Sequence, residues 1–216
     1  MTFQKRVVTD LLFGIQLSCA LTFGASQIHK LYDTNTSVSL SWLIFWEAFL
    51  VINMFLGFKS HRTAPTRLTK QTLWSYVAWM FVITSYLTLL FIKEKMLWGK
   101  EEITSTVVTL VGIFTTFIVF GLKRKSISDP IMKGYLALCF RSIPALFVAY
   151  MVYKFNGAGL SGVAIAAGHV TILTRLIPLG LSIKDAGWDK NRVGSAISEI
   201  GNEISWLIVT IVWLIV

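Results

Sequence analysis

The last apolar stretch of the chain opens with polar side chains whose types and spacing suit the binding of a small polar molecule. The sequence GSAISEIGNEISW places a polar residue, an acid, an amide and an indole at helical intervals: Ser195, Glu199, Asn202 and Trp206. Residues spaced in this way share one face of an α-helix, and Glu203 lies beside that face. Such a face can bind a ligand by hydrogen bonds and by stacking on the indole ring.

The residues that follow this face are suited to hydrocarbon, since LIVTIVWLIV is almost entirely apolar. A charge at the centre of a lipid-facing helix costs about 2.5–3.5 kcal/mol, so charged residues face the protein interior or a water-filled cavity. We therefore predict that Glu199, Asn202 and Trp206 line a central water-accessible cavity. The alternative is that Glu199 only caps its helix, where the helix dipole favours a negative charge by about 0.3–1 kcal/mol.

Other polar and ionisable residues also fall within apolar segments. Besides Glu203, they are Glu47, Asn53, Arg141, His169 and Arg175. The acidic and basic side chains of this set are nearly equal in number, so we expect them to form ion pairs inside the protein. The alternative is that some of them carry protons. Imidazole titrates near neutral pH, so His169 is either a proton-coupling group or a structurally hydrogen-bonded histidine. Asn53 shares a helical face with Trp46 and Gly57 and is a further candidate binding residue.

Seven long apolar segments position these residues. Of the 216 residues, 55% are hydrophobic and 14% are charged, whereas soluble domains carry about 25% charged residues. A hydrocarbon core about 30 Å thick requires about 20 apolar residues per helix. The sequence thus predicts an all-α, multi-pass integral membrane protein with seven transmembrane helices. The predicted segments are 9–31, 39–59, 71–93, 103–122, 131–154, 159–182 and 194–216.

Lysine and arginine are unevenly distributed between the two sets of connecting loops. One side of the membrane receives 13 of these residues and the other receives 5. Because basic residues are enriched in cytoplasmic loops, this distribution predicts a cytoplasmic N-terminus and an external C-terminus. The net charge of +9 comes from these basic loops, and we interpret it as a sign that they contact anionic lipid and do not bind nucleic acid. The first apolar segment is interpreted as a retained helix and not as a signal peptide.

The segments divide into two similar halves. A shift of 120 positions places Gly14 on Gly134, and a shift of 127 places Trp79 on Trp206. Helix lengths and loop positions agree as well, so we predict a 3+1+3 repeat of triple-helix bundles. The predicted units are a first bundle in 1–93, a linker helix in 94–130 and a second bundle in 131–216. A single linker helix keeps both bundles in the same orientation, as in parallel repeats.

With this plan the chain resembles the SWEET and PQ-loop (MtN3-like) transporter superfamily. The sequence FGASQIHKLYDTNTSVSLS (23–41) is similar to a PQ-loop segment, with a glutamine near a helix end, a basic residue, an Asn/Thr/Ser turn and a serine that opens the next helix. SIPALFVAYMVYKFNGAGLS (142–161) is similar to its second copy, with Pro144 at a helix-hinge position, although neither copy contains the Pro-Gln pair. The resemblance implies an external N-terminus, opposite to the orientation that the charges predict.

The resemblance also implies a solute-binding role for the third helix of each bundle. Asn202 matches an asparagine that binds substrate near the membrane midplane, and Ser75 is its repeat mate. Trp79 and Trp206 would offer flat walls to a ligand, or else they only pack or anchor at the membrane interface. The implied function is movement of a small polar solute by alternating access through a central site between the bundles. The sequence is also compatible with a homo-oligomer.

Two other classes of protein remain as alternatives. The sequence contains no GxSxG or HExxH motif and no Cys/His cluster with metal-ligand spacing, so it predicts neither an enzyme with catalytic residues nor a metal site. A retinal cofactor is disfavoured because the last segment contains no lysine, and no other cofactor is predicted. A structural partner, assembly partner or receptor in the membrane would be favoured by lipid-facing seams of small residues, and the seams present are weak.

Overall fold

The computed structural model describes residues 3–33, 38–94, 98–157 and 159–216, with side chains from residue 7 onward. The described residues form seven α-helices and no strand. The helices are α1 (Phe3–Asp33), α2 (Leu40–Thr63), α3 (Arg67–Ile92), α4 (Lys100–Leu122), α5 (Pro130–Lys154), α6 (Gly162–Ala186) and α7 (Lys190–Ile215). Each helix contains a stretch that is long and apolar enough to cross a membrane. The prediction of an all-α protein with seven transmembrane helices is therefore confirmed.

Most helices extend past the predicted segments at their polar ends, because capping groups and not hydrophobicity decide where a helix begins. The Thr66 hydroxyl accepts a hydrogen bond from the Thr69 amide at 3.1 Å and completes a capping box at the start of α3. Asp129 caps α5, whose first residue is Pro130, a position that needs no amide donor. Asp189 caps α7 by accepting a hydrogen bond from an amide three residues later.

Apolar side chains cover the outside of the helices, and many polar side chains lie inside. Large exposed residues include Phe55, Phe81 and Phe114, which are 69%, 68% and 62% exposed. Gln27 and Asn202 are instead buried, at 1% and 5% exposure. A surface of this kind suits hydrocarbon and not water, because a soluble protein rarely exposes such large apolar areas.

The helices contact one another in a regular pattern. α3 packs on both α1 and α2, and α7 packs on both α5 and α6. α1 also contacts α6, α2 contacts α5, and α4 packs on α5 and α2. Buried aromatic rings occupy the centre of this arrangement, among them Phe23, Trp42, Trp79 and Trp206.

Two glycines allow α5 and α7 to approach at the backbone, where both helices begin. A Cβ atom added to Gly134 would overlap the backbone of Gly194, and one added to Gly194 would overlap the carbonyl of Pro130. No side chain fits in this space, so α5 and α7 are in direct backbone contact at Gly134 and Gly194. Pro144, further along α5, is buried and removes one hydrogen bond from the interior of that helix.

Glu102 of α4 holds the beginning of α2. Its carboxylate accepts hydrogen bonds from the amides of Leu40 at 3.0 Å and Ser41 at 2.7 Å, and from the Ser39 hydroxyl at 3.1 Å. The Ser41 hydroxyl in turn donates to the Ser105 hydroxyl at 2.7 Å. A negative group at this place satisfies free amides and complements the helix dipole. α4 is thus tied to the start of α2 by buried polar contacts.

Gln27 of α1 similarly binds backbone groups at the beginning of α6. Its amide group donates to the Gly159 carbonyl at 3.1 Å, and its carbonyl accepts from the Ser161 amide at 2.7 Å. Gln27 is the glutamine of the segment that resembles a PQ-loop. The Asn/Thr/Ser turn of that segment, at residues 34–37, lies outside the described residues. Gln27 joins the first helix of the chain to the second half of the helix arrangement.

Candidate functional site

A cavity opens between α2, α3, α5, α6 and α7. The space free for water-sized molecules inside it is about 30 Å³, and all the space between its side chains, with the open mouth included, is about 470 Å³. Because the free space holds only about one or two waters, a larger molecule enters only when the side chains move apart. Its apolar walls are formed mainly by Trp42, Trp46, Phe49, Trp79 and Trp206, and its polar groups come from Arg141, Thr171, Arg175 and Asn202. A concave site with apolar walls and a few convergent polar groups is the usual form of a small-molecule site.

The polar groups of the cavity lie about halfway along their helices, whereas its wall extends to Trp42 near the start of α2. Arg141 lies 11 residues after the first residue of α5, Asn202 lies 12 residues after the first residue of α7, and Arg175 lies 11 residues before the last residue of α6. With a rise of 1.5 Å per residue, these positions are about 16–18 Å along the helix axes from helix ends that lie on the same side of the molecule. Half of a hydrocarbon core is about 15 Å. The polar groups of the cavity therefore lie near the middle of the predicted membrane.

The apolar walls consist of tryptophan rings in contact with one another. The ring centroids of Trp42 and Trp46 are 4.9 Å apart, those of Trp46 and Trp79 are 5.0 Å apart, and those of Trp42 and Trp206 are 5.8 Å apart. Phe23 lies against Trp79 at 5.4 Å. These distances are typical of direct aromatic pairing. A flat ligand enters this part of the site only by inserting between the rings.

An ion cluster lies at the polar side of the cavity. Arg141 Nη1 donates to Glu199 Oε1 at 3.1 Å, and Arg175 Nη1 lies 3.8 Å from Glu199 Oε2. The Arg141 guanidinium also lies over the ring of Phe49, 5.2 Å from its centroid. The three charged side chains are 9%, 22% and 15% exposed for Arg141, Arg175 and Glu199. Two cations share one carboxylate, so the cluster has an excess of one positive charge.

A second polar group connects α6 with α7. His169 Nδ1 lies 2.8 Å from Glu203 Oε1, and His169 Nε2 lies 2.7 Å from Thr210 Oγ1. The Thr210 hydroxyl is also 2.8 Å from the carbonyl of Trp206, to which it can donate. A neutral imidazole that donates to Glu203 must accept from Thr210, whereas an imidazolium donates to both and leaves the hydroxyl to Trp206. The contacts accommodate both protonation states.

The other predicted residues have partners outside the cavity. Ser75 donates to Gln16 of α1 at 3.2 Å, and Glu47 accepts from Thr84 of α3 at 2.7 Å. Asn53 donates to the carbonyl four residues earlier in its own helix, at 2.8 Å. In the part of the chain that the structure describes, none of these three predicted residues is among those that line the cavity.

The structure brings five of the predicted residues together, since Trp79, Arg141, Arg175, Asn202 and Trp206 all line the cavity. Glu199, which the sequence predicted to line the cavity, is not among the lining residues in the described part of the chain and instead contacts both arginines. His169 and Glu203 likewise lie outside the lining and contact each other. Sequence reasoning missed the role of Trp42, which lies one helical turn from Trp46 on α2. The spacing of these two tryptophans was visible in the sequence, but tryptophans near a helix end are also common membrane anchors. Among the described residues, no group of His, Cys, Asp or Glu side chains is arranged to hold a metal ion.

These observations define a multi-pass, seven-helix integral membrane protein with a charged cavity near the middle of its helices. Comparison of the chain with protein-family models, with curated proteins and with solved structures found no match.

Proposed function

We propose that the protein is a membrane transporter that moves a small polar solute by alternating access through the central cavity. The observation that carries this proposal is the ion cluster of Arg141, Glu199 and Arg175, which lies about halfway along its helices and beside the cavity. Ionised residues at this depth are costly, and they mark solute or ion pathways in membrane proteins. Apolar residues of similar volume would stabilise a purely structural interior at least as well.

The pattern of helix contacts supports two similar bundles, in residues 1–93 and 131–216, joined by a linker helix in 94–130. If α1, α2 and α3 are exchanged with α5, α6 and α7, the contacts α1–α3, α2–α3 and α1–α6 become the observed contacts α5–α7, α6–α7 and α2–α5. A two-fold axis along the membrane normal has this effect. In transporters built from repeats, the solute site lies between the repeats near the midplane.

The cavity draws residues from both of these bundles. Trp46 and Trp79 belong to the first, whereas Arg141, Asn202 and Trp206 belong to the second. A site between two units can face either side of the membrane when one unit rocks against the other. Such a position is what alternating access requires.

The resemblance to SWEET and PQ-loop transporters supports the same function with one modification. In that superfamily an asparagine on the third helix of each bundle binds the solute. Asn202 of α7 lines the cavity, but its mate Ser75 of α3 is hydrogen-bonded to Gln16. In this chain the first bundle contributes Trp79, one turn further along α3, in place of a polar mate.

The orientation proposed for the transporter has its N-terminus in the cytoplasm. The side of the membrane where α1, α3, α5 and α7 begin carries 13 lysines and arginines outside the helix interiors, against 5 on the other side. The positive-inside rule relates such an excess to the cytoplasm.

An uptake screen tests the transport function. The purified protein is reconstituted in liposomes and offered labelled neutral, cationic, anionic and zwitterionic solutes, with and without a pH gradient. Once a solute is found, Asn202→Ala and Trp206→Ala should each lower its uptake by about tenfold or more, because each removes a direct solute contact. The matched controls are Asn53→Ala, which changes an asparagine outside the cavity, and Trp188→Ala, which changes an exposed tryptophan.

The controls also separate a loss of function from a loss of structure. All variants should elute as single species and keep their helical circular dichroism. If correctly folded protein moves no solute under any condition, the transport proposal is wrong. The protein would then belong to the non-transport class of membrane receptors or assembly partners. If the controls fail as badly as the cavity variants, the assignment of the solute contacts to Asn202 and Trp206 is wrong.

A further inference from the structure

We infer that the solute is a small organic monoanion, a carboxylate with a flat or apolar body, bound by Arg175 and Arg141 against the tryptophan walls. This inference rests on the transport function proposed above and specifies the chemical class of its solute.

The charge of the ion cluster calls for one further negative group. Arg141 and Arg175 both lie beside Glu199, and no second carboxylate is in ion-pair contact with either arginine among the described residues. A net positive charge near the middle of a membrane is unfavourable unless a partner or water compensates it. A monoanionic solute would make the site neutral, whereas a cationic solute would double the excess charge. The site is thus matched to one negative charge.

The hydrogen bonds of the cluster indicate where this negative charge binds. Arg141 is engaged by Glu199 at 3.1 Å, lies 3.5 Å from the Ser198 hydroxyl and stacks on Phe49. Arg175 lies 3.8 Å from Glu199, a distance too long for a hydrogen bond, and it has no hydrogen-bond partner among the described residues. A guanidinium has five N–H donors in a planar fork that matches a carboxylate. Arg175 therefore offers a nearly complete set of donors to the solute.

The rest of the cavity indicates the body of the solute. Trp42, Trp46, Trp79 and Trp206 line it with ring faces and edges, and the Asn202 side chain adds an amide. The indole N–H of Trp79 is buried and has no partner in the described part of the chain. A solute with many hydroxyl groups would leave most of them unpaired against these walls, at a cost for each one. A compact carboxylate with an aromatic or aliphatic body avoids that cost.

The test compares carboxylates with neutral molecules of the same shape. Binding of acetate, lactate and benzoate to the intact, detergent-solubilised protein is measured by equilibrium dialysis beside acetamide, lactamide and benzamide. At least one carboxylate should bind about tenfold or more tightly than its amide, as expected for loss of a charge-assisted hydrogen bond. Benzoate should bind the tightest of the three because of the aromatic walls. Benzylamine, which is cationic at neutral pH, should bind more weakly than benzamide.

Three variants assign the preference to the cluster. Arg175→Gln should weaken binding of the preferred carboxylate by about tenfold or more, because Arg141 then remains paired with Glu199. Lys184→Gln is the matched control, since it removes the same charge from an exposed position on the same helix, and it should have no effect. In the double variant Arg175→Gln/Glu199→Gln, the original net charge is restored and Arg141 is released. This variant should regain part of the lost affinity, which a merely misfolded protein would not do.

The results distinguish this inference from the transport function. If no carboxylate binds better than its amide, or if Arg175→Gln and Lys184→Gln behave alike, the anion site is overturned; the comparison of carboxylates with amides needs no variant to fold. If the uptake screen finds only neutral or cationic solutes, transport stands and the anion site falls. If carboxylates bind as expected and no solute is moved, the anion site stands and transport falls.

Discussion

Replacement of Glu102 should destabilise the protein more than replacement of its neighbour Glu101, although both acids lie in the first turn of α4. Glu102 is 4% exposed and its carboxylate accepts three hydrogen bonds from the residues that begin α2. Glu101 is instead ion-paired with Lys154 at the end of α5, where both side chains are partly exposed. Comparison of the two variants therefore separates the stability contributed by a buried contact from that contributed by a surface contact of the adjacent residue.

The magnitude follows from the groups that lose their partners. Glu102→Ala leaves the amides of Leu40 and Ser41 without an acceptor, and an unsatisfied buried donor costs about 1–3 kcal/mol. The favourable interaction with the dipole of α2, about 0.3–1 kcal/mol, is lost as well. Water at the membrane surface and the Ser39 hydroxyl recover part of this cost, so we expect a loss of about 2–4 kcal/mol. Glu102→Gln keeps an acceptor oxygen but removes the charge, and its loss should be about half as large.

Equilibrium unfolding in mixed micelles measures these differences, with far-ultraviolet circular dichroism and tryptophan fluorescence as probes. The free energy of unfolding should decrease from wild type to Glu102→Gln and further to Glu102→Ala. For Glu101→Ala it should be close to the wild-type value, because exposed ion pairs contribute little. If Glu102→Ala unfolds like Glu101→Ala, the buried carboxylate does not hold α2, and our account of the α4–α2 connection is wrong.

Two further predictions concern orientation and proton coupling. A reporter that is active only in the cytoplasm should be inactive when it is fused after Val216; activity there would contradict the proposed orientation and favour the topology of the SWEET superfamily. For a solute whose uptake responds to a pH gradient, His169→Gln should abolish that response and preserve uptake without a gradient, since glutamine can bond to Glu203 but cannot take up a proton. His61→Gln is the control, since the His61 imidazole lies beside the Thr69 hydroxyl and away from the α6–α7 contact; a gradient response that survives in His169→Gln would exclude His169 as the proton carrier.

The seven helices could be predicted from the sequence because each of them must satisfy its backbone within hydrocarbon, which demands a long apolar run. Their ends could not be placed as well, because a hydropathy pattern stops at the first charges. α7 begins at Lys190, four residues before the predicted segment, since Asp189 caps it there. The role of Glu102 was missed for a related reason: nothing in the local sequence shows that an acid between two apolar segments caps a helix about 60 residues earlier.

The candidate site could be predicted where one helix contains the pattern. The face of α7 with Asn202 and Trp206 follows from helical periodicity alone, and both residues line the cavity. Contacts across helices depend on rotation and depth, which a single sequence does not encode in any local pattern. Ser75 was assigned to the site as the repeat mate of Asn202, but it is hydrogen-bonded to Gln16 in the contact between α1 and α3.

The glycine seam and the ion cluster together determine which contacts would change first in the proposed alternating access. Arg141 and Glu199 lie on α5 and α7, whose backbones touch at Gly134 and Gly194, so their 3.1 Å contact belongs to a closely packed pair of helices. Arg175 lies on α6, which side-chain contacts hold to α7. A displacement of α6 that leaves the seam intact must therefore alter the contact of Arg175 with Glu199 before it alters that of Arg141.

The same displacement strains the bond between His169 of α6 and Glu203 of α7, which is 2.8 Å long. The His169–Glu203 contact and the position of Arg175 are therefore linked through α6. A change that loosens the His169–Glu203 contact would also change the affinity of the cluster for the proposed anion. Conversely, an anion bound at Arg175 would change the strength of the His169–Glu203 contact, because linkage between two sites is reciprocal.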